Sequence, residues 1–522
     1  MSASREKKQR QGAGSSEKAL QAQQQQAAQK RKTITYTVIG VVIGVLVAAL
    51  LIWNTGFFQA RATAATVGGE SLTAAELSYY YYDARMYTAQ LAAYGLNNYN
   101  TSLADDEQYY DESAGQTYRD YFMEEALDSA RRSIALSSEA KKNGHTEAEV
   151  KDSLNAQIQS VKTSASQYGY SYASYLKAMY GTYMSAGVYE KLYTMDLLAN
   201  LIYSEKGSEL TDSYSQDELR AYYEKDDNAD SLDTFEYSYL YFTPAAVEEK
   251  DEDGNELDED AVAELKKAAL AEAKANAEEA LEAVKGGSSI SSQAEKYELA
   301  ETRYGDHETI VGITSAAAAI QDDLLAMKAD DVELVANGES GYYVVTLHSR
   351  RLVEDPTRDV RHILARAETT TDEEGNAVPP TDEAWAAAKE RIEAIQAEYE
   401  AGARTEDSFA ALANEKSDDG DGTTGGLYTK ISPSSNYVPE FLEWIFEDGR
   451  KAGDTGIVQH DAGDSTRGYW GYHFMYMVGD NEPVWMGSVR STLASEDRNA
   501  WVEELKGNYE TSLTDAAGNI GR

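Results

Sequence analysis

The chain of 522 residues carries 90 acidic against 47 basic side chains, a formal net charge of −43, and no cysteine. That balance excludes nucleic-acid binding, which needs basic grooves. The missing thiols exclude disulfides, Cys-ligated zinc, cysteine nucleophiles and a lipid-modified N-terminal cysteine. A hydrophobic fraction of 42% and 38 tyrosines are enough to build cores for several domains.

In chain order, residues 1–33 read as a basic, disordered leader, Gln-rich from Gln21 to Gln29. Residues 34–54 are almost unbroken apolar sequence between Tyr36 and Trp53. About 20 residues at helical rise match the hydrocarbon core, so the pattern predicts a transmembrane helix. The lysines and arginines before it place the N-terminus in the cytoplasm and the acidic bulk outside, in a single-pass cell-membrane topology. Ala60-Arg61-Ala62 offers a small-residue cleavage site. The apolar run is nevertheless longer than a signal-peptide core, so the reading is an uncleaved anchor.

Residues 60–230 read as a helical domain. Ala65–Val67 suggests a short strand, Gly68-Gly69 a turn, and Thr73 with Glu76 a capping box that starts a helix. Tyrosines at 79–82, 87 and 94 follow; most are expected to serve as core and rim.

An internal repeat comes next. Phe235–Phe242 alternates as a strand, an acidic Gly-Asn insert and a long Ala/Glu/Lys helix follow, then a second helix, and the unit closes on Gly341–Leu347. Asp359–Ala365, Glu383–Ala401, Ser408–Lys416 and Gly471–Val478 repeat this order. The expected architecture is α+β: a transmembrane helix, the helical domain, two β-α-α-β copies at 231–353 and 354–480, and a C-terminal helical segment at 481–522.

The copies differ at two positions. His362 falls where the first copy has Tyr239, and His473 where it has Tyr343. Both histidines sit inside apolar, strand-like runs about one small domain apart, which can hold two imidazoles side by side on one sheet. Core packing alone does not explain why only one copy has them.

Residues 360–478 resemble the parvulin class of peptidyl-prolyl isomerases. The matching runs are Arg361-His362-Ile363-Leu364, Phe409–Ala413, Ser417-Asp418-Asp419, Gly425-Gly426-Leu427, Pro439–Phe446 and Gly471-Tyr472-His473. The part outside the membrane is similar to extracytoplasmic foldases of the SurA/PrsA type, in which a helical chaperone domain precedes the isomerase module and the C-terminal segment packs back on it. The first copy is then a degenerate parvulin-like domain. The resemblance implies catalytic roles for His362, Asp419 and His473, and a proline-gripping cup of Tyr437, Phe441 and Phe446. It implies no cofactor and no metal, and partners that are unfolded or newly exported proline-containing polypeptides. Tyr437 stands where the family often has an apolar residue, and Gly425-Gly426-Leu427-Tyr428 lacks the family's Asp. The alternative is a holdase that binds unfolded chains without catalysis.

Asp418-Asp419-Gly420-Asp421-Gly422 does not match the ligand spacing of a calcium loop. His145, His307, His348 and His460 show no metal-ligand spacing.

Overall fold

The computed structural model describes residues 30, 32–33, 35–47, 56–225, 227–250, 255–372, 376–420, 422–463 and 468–521. The Gln-rich leader, residues 34 and 48–54 of the expected anchor, and most of the Gly-Asn inserts lie outside these. Residues 35–47 are helical. No described helix is long and apolar enough to cross a membrane.

The chain divides into two compact units, residues 1–212 with 494–522, and residues 213–493. In the first, Thr63–Val67 and Glu70–Thr73 form a hairpin, and Thr511–Leu513 pairs on the other side of Thr63–Val67. Gly68 and Gly69 both take positive φ, 57° and 84°, as a two-residue hairpin turn requires. Thr73 and Glu76 form the capping box that opens helix Ala74–Ala93. With Tyr118–Lys142 and Ala186–Ser213, this helix buries a core rich in tyrosine: Tyr79, Tyr80, Tyr81, Tyr99, Tyr118 and Tyr189 are all at most 7% exposed. Tyr81 and Tyr99 donate their hydroxyls to Asp105, which also receives Arg85, so their polar tips are satisfied inside the core. The C-terminal segment is a helix, Val484–Gly507, followed by the short strand. The strand was not expected; its three residues are all exposed and carry no apolar alternation.

In the second unit both copies of the repeat are present with the same topology. Each is a four-stranded antiparallel sheet. The order is Tyr304–Val311, Thr234–Phe242, Tyr342–Arg351, Val332–Ala336 in the first copy, and Leu427–Ile431, Pro356–Arg366, Trp470–Pro483, Thr455–Asp461 in the second. The sequence pattern gave the two central strands of each copy and missed the outer two. Leu427–Ile431 shows why: four of its five residues are exposed or half-exposed, so no apolar period marks it.

Each sheet is covered on both faces. In the second copy Ile363, Ala365 and Phe474 pack against helices Asp382–Ala401 and Glu406–Lys416. Val360, Met475, Met477 and Val458 face the other way, against Pro439–Phe446. Side chains alternate along a strand, so His362 and Leu364 belong to this second face. Burying each large apolar side chain contributes about 1.5–3 kcal/mol, which fixes the register that presents the histidines.

Candidate active site

His362 lies on the central strand Pro356–Arg366 and His473 on its neighbour Trp470–Pro483. The register sets His473 opposite Leu364 and His362 opposite Met475, which makes the imidazoles diagonal neighbours on one face. Their Nδ1 atoms are 3.0 Å apart, and both residues are buried, at 4% and 2% exposure.

Asp419 reaches the pair because the loop after helix Glu406–Lys416 is stitched to the same strand. The Ser417 hydroxyl accepts from the backbone N–H of Leu364 and of Asp419, at 3.0 and 3.1 Å, and Asp418 N–H donates to the Leu364 carbonyl at 2.9 Å. Asp419 Oδ2 then stands 3.1 Å from His362 Nε2 and accepts the Tyr428 hydroxyl at 2.9 Å. Gly426 closes the loop. Its carbonyl accepts His362 N–H at 2.9 Å, its φ is +64°, and a Cβ there would lie 2.1 Å from the His362 carbonyl oxygen. Only glycine fits such an approach.

The electrostatics select one arrangement of protons. The hydrogen bond from His362 outweighs burial and holds the Asp419 carboxyl well below the ordinary carboxylate range, so it is an ionised acceptor. Burial first, then the His362 imidazole, pushes His473 down to about 3, so it is neutral. Burial pushes Tyr469 up to about 12, and burial with the bond to Asp419 raises Tyr428 further. Both phenols therefore stay protonated and donate. Tyr469 O–H meets His473 Nε2 at 3.0 Å, which leaves the His473 proton on Nδ1, facing His362. The chain of donors runs Tyr469 to His473 to His362 to Asp419, with Tyr428 donating to the same carboxylate.

Above the pair is a cavity of about 190 Å³ walled by Leu364, Arg366, Tyr428, Tyr437, Phe441 and Tyr469. Phe441 stands edge-on to both histidines, with ring centroids 5.5 Å from each, and stacks on Tyr437 at 5.4 Å. Larger clefts exist on the first copy, but this one alone joins a buried histidine pair, an ionised carboxylate and an aromatic wall among the described residues.

Five of the six residues expected at the site come together here. Phe446 does not line the cavity; it packs beside it, with the Arg358 guanidinium 5.3 Å from its ring. Phe441 and Ile445 share the buried face of Pro439–Phe446, and one further residue turns about 100° away. Tyr428 and Tyr469 were missed. Tyr428 lies on an exposed edge strand and Tyr469 beside the hairpin end, so neither carries a periodic signal.

In the first copy the same register holds, with Tyr239 opposite Val345 and Tyr343 opposite Tyr241. Tyr239 and Tyr343 occupy the histidine positions with ring centroids 6.0 Å apart, and Tyr241 stacks on Tyr343 at 4.0 Å. Aromatic packing has replaced the imidazole pair.

Residues 362–470 match the family model Rotamase, the PPIC-type PPIASE domain, so the chain carries a parvulin-type peptidyl-prolyl isomerase domain. His473 lies just past the matched range and is tied to it by strand register. Similar solved structures include the peptidylprolyl isomerase PrsA from Bacillus cereus, with 21% identity, 29% of this chain and 48% of that chain covered, and a TM-score of 0.16. PrsA from Bacillus anthracis has 13% identity, with 42% and 79% covered and a TM-score of 0.17. The foldase protein PrsA from Streptococcus pneumoniae has 14% identity, with 44% and 70% covered and a TM-score of 0.17. The chain thus spans about half the length of the Bacillus cereus protein. No curated protein matches it.

Proposed function

We propose that the protein is an extracytoplasmic isomerase and foldase, acting on proline-containing segments of newly exported, unfolded polypeptides. In this reading residues 34–54 anchor it in the cell membrane with the N-terminus in the cytoplasm. Residues 60–230 form a chaperone domain, 231–353 a degenerate parvulin-like domain and 354–480 the isomerase, and 481–522 complete the chaperone domain. The observation that carries the reading is the ordered chain from Tyr469 through His473 and His362 to Asp419, beneath an aromatic cavity the size of one small ring.

The reaction is rotation about an X–Pro amide, whose uncatalysed barrier is about 18–20 kcal/mol. No bond is broken and no cofactor is required. Phe441, Tyr437 and Leu364 hold the pyrrolidine ring in apolar surroundings. The twisted amide has lost resonance and is less polar than the planar one, so a site that excludes water favours it over either ground state. Asp419 shapes the field at the substrate carbonyl. The histidines are positioning residues: they orient Asp419 and make the cavity floor, and no nucleophile is needed.

The test is catalysis of cis–trans exchange in a short X–Pro peptide by the full chain and by His362→Ala, Asp419→Asn and Phe441→Leu. Activity in the unmodified chain that falls at least about tenfold in all three, with melting curves retained, supports the reading. Suppression of aggregation without any exchange in the unmodified chain would establish the holdase instead.

A further inference from the structure

The first copy has a second pair of histidines that the sequence did not join. His348 on Tyr342–Arg351 and His307 on Tyr304–Val311 stack face to face, with ring centroids 4.2 Å apart and planes within 9°. They lie where both outer pairings of Thr234–Phe242 are irregular: the register shifts between Glu236 and Tyr237 on one side and between Tyr237 and Tyr239 on the other. Ser238, fully buried between them, bonds His348 Nε2 at 2.7 Å, Asp306 Oδ1 at 3.2 Å and the His307 N–H at 2.9 Å. Bulges of this kind re-aim side chains beside functional sites.

These residues edge a cleft of about 700 Å³ on the sheet face that carries the two helices. Asp306, Asp330, Asp331 and Glu333 line it, against Lys285 as the single lysine or arginine among the lining residues. Burial, then His307, pushes His348 below its ordinary value, so it adds no positive charge at neutral pH. Thr346 forms part of the lining at 8% exposure, and its buried hydroxyl has no hydrogen-bond partner. A buried hydroxyl without a partner is disfavoured by about 1–3 kcal/mol, so a donor that reached it would offset that cost.

The second copy fills the equivalent space. Thr346 pairs with Ser238 where Tyr476 pairs with Arg361, and Tyr476 packs into the core with Tyr399 and Phe409. The cleft is therefore not forced by the fold.

We propose that this cleft binds the guanidinium side chain of an arginine in an unfolded client polypeptide. A guanidinium presents five donors in a planar fork to carboxylates and to the Thr346 hydroxyl, and its plane can stack on an imidazole face. An ammonium offers no such plane. This rests on the client-binding reading above, and it gives the degenerate copy a recognition role on the face opposite its tyrosine-filled former site.

The test is fluorescence anisotropy of the full chain with a labelled, proline-free Gly/Ser peptide carrying arginines, against the same peptide with citrulline. The arginine peptide is expected to bind about tenfold more tightly. Thr346→Val, which leaves the charge unchanged, and Asp330→Asn should each lower that affinity about tenfold. Thr346→Ser should restore it, and Glu259→Gln, an exposed carboxylate outside the cleft, should not matter. Equal binding of the two peptides overturns the proposal; unchanged arginine binding in Thr346→Val also overturns it and assigns the attraction to the acidic surface at large. X–Pro exchange is measured on the same samples with an arginine-free peptide. Exchange without arginine dependence removes the cleft alone; arginine-dependent binding without exchange supports the cleft and removes the catalytic reading.

Discussion

Acid should unfold the isomerase domain through His473. Its imidazole is held down to about 3 from an ordinary value of 6.5, chiefly by burial. In the unfolded chain it binds a proton below pH 6.5, and in the folded chain it does not. The unfolded state therefore gains protons first, and stability is fully present above pH 6.5 and is lost as pH falls toward 3. Between pH 7 and pH 5 this one group removes about 2 kcal/mol, and about 4 kcal/mol by pH 3. Asp419 acts in the same direction but only below its ordinary value of 3.8, and His348, also lowered, lies in the first copy, so within the isomerase domain the upper window belongs to His473. Urea unfolding of the full chain, followed by tryptophan fluorescence at several pH values, measures the slope. His473→Gln lacks the titrating group and should lose about 2 kcal/mol less over the same two units, whatever its stability at pH 7. Parallel pH profiles for the two proteins, or an imidazole resonance of His473 titrating near 6.5, would refute the reasoning.

Gly426→Ala places a Cβ against the His362 carbonyl at a φ of +64°, so it should lower stability by at least about 2 kcal/mol and loosen the Asp419 contact; a thermal melt and the exchange assay report both. Phe441→Ala should lower stability by about 3–5 kcal/mol because the ring is 3% exposed in its core, whereas Phe441→Leu should keep most of the stability and lose the exchange activity. Removing residues 1–54 should move the protein from the membrane fraction to the soluble fraction with exchange activity unchanged; retention in the membrane would refute the anchor.

The sequence by itself determined the duplicated sheet, the strands that carry His362 and His473, and the replacement of both by tyrosine in the first copy. It did so because long apolar strands and amphipathic helices leave periodic traces, and because a repeat can be compared with itself. The Thr73–Glu76 capping box and the Gly68-Gly69 turn were legible for a related reason: each is a local demand of the backbone.

Tertiary structure alone decided the rest. Asp419 meets His362 only because Ser417 and Asp418 tie their loop to Leu364, a contact across many residues of chain. Tyr428 and Tyr469 join the site from an exposed edge strand and a hairpin end, where no hydrophobic period exists. Phe446 falls outside the cavity by one step of helical rotation. His307 and His348 stack although no ligand-like spacing links them, because paired irregularities in two strand ladders bring them over Ser238. Local pattern is written in the order of residues; the meeting of polar groups from separate elements depends on which strands pair, and in which register.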